Sequence, residues 1–225
     1  MSFPNLFSLH GKTALITGGA GFFGRYFVRG LLDSGSDRVI IVEKPDAGTK
    51  AVEILQEQYP DRVRLYEVDL YDGEGADTIF SLILDDVGCI DVLINNAFEF
   101  SPRTGFAPDH SGAFEVATHD QVRRCFESSV WWAFQATRKF GLAMRARGGG
   151  SIINITSPAG VRAIDPKQYQ GFEHAPSPPG YGMAKAALIQ QTRIAAMNLA
   201  PVRVNCLSPG AIPNLDESHE RAGKG

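Results

Sequence analysis

Cysteine is scarce: the chain of 225 residues has three, Cys89, Cys125 and Cys206, far apart and never spaced as CxxC. That argues against the common zinc and dithiol redox patterns. Cys89 and Cys206 lie in or beside apolar runs, where a thiol packs as a small hydrophobe, so both are expected to be buried. The five histidines, His10, His110, His119, His174 and His219, never pair at ligand spacing, and no metal site is expected. Long basic runs are missing too. With a net charge of −3 the chain gives nucleic acid nothing to grip. No apolar stretch reaches the roughly 18 residues of a membrane span, and the start, "MSFPNLFSLHGK", lacks a basic segment followed by an apolar one. The cytoplasm is therefore the expected setting.

What the chain does have is hydrophobic content, 44%, enough for a sizeable core in one domain. Short β-branched runs alternate with longer helical ones. "TALITG" (13–18), "RVIIVEK" (38–44), "VRLYEVDL" (63–70), "DVLINNA" (91–97), "SIINITS" (151–157) and "VRVNCLSPG" (202–210) read as strands. They are nearly continuous in apolar character, as parallel strands covered on both faces must be. Helices are predicted over 22–34, 47–58, 74–86, about 118–147 and about 180–200. The alternation predicts an α/β fold, a Rossmann-like doubly wound parallel sheet with helices on both faces. Right-handed crossovers then gather the ligand-bearing loops along one edge. Two long loops, 98–117 and 158–179, follow strand ends and should overhang that edge.

The clearest local signal follows the first strand. In "ITGGAGFFGRYFVRGLL", Gly18, Gly21 and Gly24 recur every third residue. Small residues there let a pyrophosphate approach the first helix, whose free N–H groups and dipole favour an anion. Thr17, Phe22 and Phe23 complete that candidate loop. Glu43 ends the second strand, nineteen residues after Gly24, where a carboxylate can accept from ribose hydroxyls and repel a 2′-phosphate. NAD is therefore preferred over NADP, with NADP possible because Lys44 is adjacent. Asp69 and Leu70, at the end of the third strand, are placed to meet an adenine ring. Asn95, Asn96 and Ala97 end the fourth strand, where two amides could fix turns around the cofactor. "PPGYGMAKAA" sets Tyr181 and Lys185 four apart, on one face of a helix.

Taken in order, "TGGAGFFG", "DL" at 69–70, "INNA", "INITS", "YGMAK" and "RVNCLSPG" resemble the short-chain dehydrogenase/reductase family, over residues 10–215. The resemblance implies an NAD(P)-dependent enzyme that interconverts a secondary alcohol and a ketone. It implies Tyr181 as proton donor or acceptor, Lys185 as its tuning cation, and Ser157 as the hydroxyl holding the substrate oxygen. The chemistry agrees. A phenol titrates near pH 10, a nearby ammonium favours its anion, and a strand-end hydroxyl can steady a developing alkoxide. It also implies cofactor contacts from Pro209, Gly210 and Ile212.

Four departures stand out. Phe98 replaces the usual glycine after "NNA". Ser129 aligns with an asparagine that anchors a relay water in many members. Ser157 and Tyr181 are twenty-four residues apart, about ten more than usual, which marks a substrate loop; and the chain stops fifteen residues after "SPG". On that pattern residues 1–225 form a single dinucleotide-binding domain without the family's usual C-terminal helical segment and seventh strand.

The motifs after the glycine loop favour the single-domain branch, while the glycine spacing itself suits sugar-nucleotide epimerases and dehydratases, an alternative. A dinucleotide-binding sensor or scaffold without turnover is another. The insertion before "YGMAK" is similar to enzymes of surface-sugar and nonulosonic-acid biosynthesis and to gluconate dehydrogenase-like proteins. That implies a small-molecule substrate, a sugar or hydroxy acid, to which Arg103, Arg162, Lys167 and His174 could supply charge. A homodimer or homotetramer is implied as well. Trp131 and Trp132 are adjacent, so they cannot share one core, and one is expected at an interface.

Overall fold

The computed structural model describes residues 7–165, 167 and 177–210. Six strands, β1 (Thr13–Thr17), β2 (Arg38–Glu43), β3 (Val63–Glu67), β4 (Val92–Asn95), β5 (Ser151–Ile155) and β6 (Arg203–Leu207), form one sheet in the order β3-β2-β1-β4-β5-β6. Every pairing is parallel. This is the predicted Rossmann-like α/β sheet. Its order reverses direction between β1 and β4, and a crevice opens at such a switch point beyond the carboxyl ends of the strands.

Both sheet faces are buried because the strands alternate between two cores. On β1, Ala14 and Ile16 join Val28, Leu32, Val52 and Leu55 of helices α1 (Phe22–Asp33) and α2 (Thr49–Gln58). Leu15 points the other way, with Phe80 of α3 (Gly73–Val87) and Phe140 and Met144 of the helix Trp132–Ala146. On β2, Val39 and Ile41 meet the first set, Ile40 and Val42 the second. Each such fully buried side chain contributes about 1.5–3 kcal/mol. A one-residue register slip would exchange every contact.

Three differences from the sequence expectation matter. The strand expected over 63–70 stops at Glu67: the Val68 N–H donates to the Glu43 carbonyl, and there β2 ends. Asp69 thus stands beyond the sheet. The helix expected over 118–147 is divided into α4 (His119–Phe126), a π turn (Glu127–Trp131) and α5 (Trp132–Ala146). Cys206 is exposed instead of buried, because β6 is an edge strand with little packed over it among the described residues; Cys125 is buried and Cys89 half-buried. The two tryptophans do part company, Trp132 buried against Tyr71 and Trp131 exposed and stacked on Phe134. The last described helix, α6 (Pro179–Asn198), begins with proline at its first position, where a missing N–H costs nothing. No described helix is long and apolar enough to cross a membrane.

Candidate active site and nucleotide cleft

A cleft of about 630 Å³ lies at the switch point. Gly18, Gly21, Phe22 and Phe23 line it from the glycine loop, Glu43 from the end of β2, and Asp69 and Leu70 from beyond β3. Asn96, Ala97 and Phe98 line it from beyond β4. The glycine loop is shaped by close approach. A Cβ on Gly24 would lie 2.1 Å from the Gly18 carbonyl oxygen, and one on Gly18 (φ +67°) would lie 2.9 Å from the Ala97 Cα. Helix α1 begins after Gly21 with no side chain capping it. Its first amides are thereby left to an anion. These features fit a dinucleotide.

Glu43 is half-buried. Its Oε2 accepts from the Ala20 N–H at 3.3 Å and its Oε1 from the Lys44 N–H at 3.2 Å. Burial raises its pKa, opposed by those two hydrogen bonds and the Lys44 charge. Asp69 Oδ1 accepts from the Tyr71 N–H at 2.9 Å. Asn96 ties the two halves together, its Nδ2 donating to the carbonyls of Thr17 (3.2 Å) and Gly18 (2.8 Å). Thr17 Oγ1 accepts from the Asn96 and Ala97 amides.

Not every expected residue reaches the cleft. Thr17 and Gly24 shape it from behind. Asn95 is turned into the core, its Nδ2 donating to Thr137 Oγ1 (3.0 Å) and Asn154 Oδ1 (2.7 Å). Asn154 continues the chain to Thr192 of α6. Pro209 and Gly210 follow β6 at the same edge without lining the cleft, and Ile212 lies outside the described residues.

The three expected reacting residues stand on β5's exit and on α6. Ser157 is buried, and its Oγ accepts from the Ala159 N–H at 3.2 Å, opening a 3₁₀ turn at Pro158–Gly160. That turn presses on α6 at Gly160, where a Cβ would lie 2.6 Å from the Lys185 carbonyl carbon. Gly180 permits a matching approach of α6 to α4, with a Cβ 3.0 Å from the Val122 Cα. Lys185 is buried, and its Nζ donates to the Ile155 carbonyl at 2.9 Å. It lies 5.6 Å from the Tyr181 ring centroid and 5.0 Å from that of Phe98. Burial lowers its pKa to about 8, so the ammonium still prevails at neutral pH. Ser129 sits in the π turn, which packs against α6; it is buried and its hydroxyl oxygen has no partner within the protein. Such turns concentrate at functional sites.

The family model described as short chain dehydrogenase matches residues 12–220. The chain belongs to the short-chain dehydrogenase/reductase family. A sorbitol dehydrogenase of Cereibacter sphaeroides is 31% identical over 207 residues, 91% of this chain and 72% of that protein. A trans-4-hydroxycyclohexanecarboxylate dehydrogenase of Sinomonas cyclohexanicum is 30% identical over 208 residues, 89% of this chain and 72% of that one. Among solved structures, a short-chain dehydrogenase from Streptomyces avermitilis is 33% identical with a TM-score of 0.75, over 91% of this chain and 68% of that one. Membership makes this protein an NAD(P)-dependent oxidoreductase.

Several neighbours of these residues in this short-chain dehydrogenase were not evident beforehand, Phe98 alone having stood out as the replacement for a glycine. Phe98, Phe100 and Phe106 surround Tyr181, with ring centroids 5.2, 6.0 and 5.3 Å away. Glu99 receives a short hydrogen bond from the Tyr71 hydroxyl and one from Ser101 Oγ at 2.9 Å, and pairs with Arg103 at 3.4 Å. Burial, then that bond to Glu99, raises the Tyr71 pKa. The alternation in "FEF" was the available signal. Of the loop cations expected to meet substrate, Arg103 is thus engaged by Glu99, Arg162 and Lys167 are exposed, and His174 lies outside the described residues. Among the described residues, no group of His, Cys, Asp and Glu is arranged to hold a metal.

Proposed function

We propose that residues 1–225 act as one dinucleotide-binding domain that interconverts a secondary alcohol and a ketone, with Tyr181, Lys185 and Ser157 at the reacting oxygen. The observation carrying this is the approach of Gly160 to Lys185, which holds the Ser157 turn against the helix that bears Tyr181. When bound, the nicotinamide supplies or accepts the hydride. The chain's own residues manage the proton. In oxidation the substrate hydroxyl proton passes to the Tyr181 oxygen, and in reduction the Tyr181 hydroxyl returns it to the nascent alkoxide. The Lys185 ammonium beside the ring favours the anionic phenolic oxygen. The Ser157 hydroxyl donates to the substrate oxygen as negative charge gathers there. Ser129, with an unspent buried hydroxyl in the π turn, is suited to hold a relay water in place of the family's asparagine.

Glu43 supports NAD over NADP. Its carboxylate lines the cleft and already faces the Ala20 amide, so a 2′-phosphate there would meet negative charge. The relatives' names point to polyols and to a cyclic hydroxy acid as the substrate range; the narrower likeness to surface-sugar enzymes rests on the sequence motifs. Self-association through this stretch is supported by the exposed Trp131 of the π turn and Phe134 and Leu142 of α5.

The test is Tyr181→Phe. Turnover of secondary alcohols should fall at least about 100-fold, the usual contribution of a positioned acid–base group. NADH binding, followed by fluorescence, should persist. A variant that keeps its turnover refutes the assignment, and a wild-type protein that binds NADH but oxidises no alcohol would be the sensor or scaffold instead.

A further inference from the structure

Within the site just assigned, three phenyl rings, those of Phe98, Phe100 and Phe106, surround the Tyr181 ring. Phe98 and Phe100 line the cleft as well as touching Tyr181, so one aromatic surface joins the two. The rings meet mostly edge to face, with centroids 4.7 Å apart for Phe98 and Phe100, 4.9 Å for Phe100 and Phe106, and 6.0 Å for Phe98 and Phe106. Such a cluster presents carbon edges and faces and no hydrogen-bond partner.

The wall is fixed in place. Along an extended stretch side chains alternate, so Phe98 and Phe100 meet Tyr181 while Glu99 turns toward Tyr71, Ser101 and Arg103, which line the cleft beside the rings. There Glu99 gathers Tyr71, Ser101 and Arg103, and its own carbonyl accepts from Thr104 Oγ1 at 2.6 Å. Arg103 and Arg124 lie 5.3 and 5.1 Å from the Tyr71 ring centroid, completing the support. Phe106 is set by Gly105 (φ +87°), whose missing side chain lets the loop press on Pro178 at the start of α6, 3.0 Å from where a Cβ would lie.

We infer that this wall selects the substrate: the reacting carbon belongs to a ring-closed alcohol or ketone with one C–H-rich face, and not to an open-chain polyol. The inference rests on Tyr181 being the acid–base group. A polyol carrying a hydroxyl on every carbon would leave several of them stripped of water against carbon. A six-membered ring can lay its C–H face on the phenyl rings and turn its polar groups toward Ser157 and the solvent. Phe100, 65% exposed, stands at the mouth, where such a face would first be met.

The experiment compares cyclohexanol with sorbitol as substrates with NAD⁺, in wild type, Phe106→Leu and Phe100→Ala, alongside an NADH titration of each protein. The expected result is kcat/KM at least about 10-fold higher for cyclohexanol, with that preference cut about 10-fold by either variant, chiefly through KM. Phe106 lies outside the cleft lining, so NADH affinity should hold in Phe106→Leu. Sorbitol used as well as cyclohexanol, or a preference that neither variant alters, would overturn the inference alone. Turnover of neither alcohol by wild type that binds NADH would overturn the Tyr181 assignment and this inference together.

Discussion

Lys185 carries a measurable cost because its ammonium is buried beneath the sheet edge. Burial lowers its pKa from an ordinary 10.5 to about 8. At neutral pH that difference destabilises the fold by about 3 kcal/mol, at about 1.4 kcal/mol for each tenfold change in proton affinity. The Phe98 and Tyr181 rings, 5.0 and 5.6 Å away, oppose it by ~1 kcal/mol, leaving about 2–3 kcal/mol. The folded-state pKa lies below the unfolded one, so between pH 8 and 10.5 the unfolded chain binds more protons. Stability therefore rises with pH across that window, and below it the cost is fully present. Replacing Lys185 by Met removes the titration while leaving the Ile155 carbonyl without its 2.9 Å donor. The assay is urea unfolding of wild type and Lys185→Met at several pH values from 7 to 11. Ionisable groups remote from Lys185 cancel between the two proteins, and the Cys125 thiol coupled to it titrates only at the top of the range, at about 11. The wild-type unfolding free energy minus that of the variant should increase by about 2–3 kcal/mol over the range. A difference that stays flat, or falls, would refute the reasoning that desolvation governs this lysine.

The remaining predictions concern the cofactor cleft and the joint between Ser157 and α6. Glu43→Ala should weaken NADH binding and strengthen NADPH binding, each by about 10-fold, as one charged hydrogen-bonding group of about 1.4 kcal/mol is removed. Parallel fluorescence titrations would show it, and an unchanged ratio would remove Glu43 from cofactor selection. Gly160→Ala should destabilise the protein by about 1–3 kcal/mol, since the added carbon meets Lys185 and Ala186 backbone atoms that cannot swing aside. Its kcat should fall with KM little changed if Ser157 is displaced from Tyr181, and a wild-type kcat together with wild-type stability would contradict that joint.

The sequence by itself determined the fold and the order of its parts. Continuous apolar strands such as "RVIIV" can be covered only on both faces, and their alternation with helices leaves a doubly wound parallel sheet as the solution. The glycine spacing after β1, the acid at the end of β2 and the Tyr181–Lys185 pair are each readable because a local backbone or helix-face requirement fixes the residue type. Asn95 was misplaced for the opposite reason. Which way a strand-end amide turns depends on partners far along the chain, here Thr137 and Asn154. The end of β3 was likewise overrun, because a strand stops where its neighbour stops. The interruption of the long helix at Ser129 left no mark in its hydrophobic period. The ring wall of Phe98, Phe100 and Phe106 became visible only when the chain was folded, since a phenylalanine reads the same in a core, on a surface or beside a reacting hydroxyl. Local chemistry decided what could stand at the site; long-range packing decided what surrounds it, because contacts between distant segments are set by the whole arrangement of strands and loops and by no single stretch of sequence.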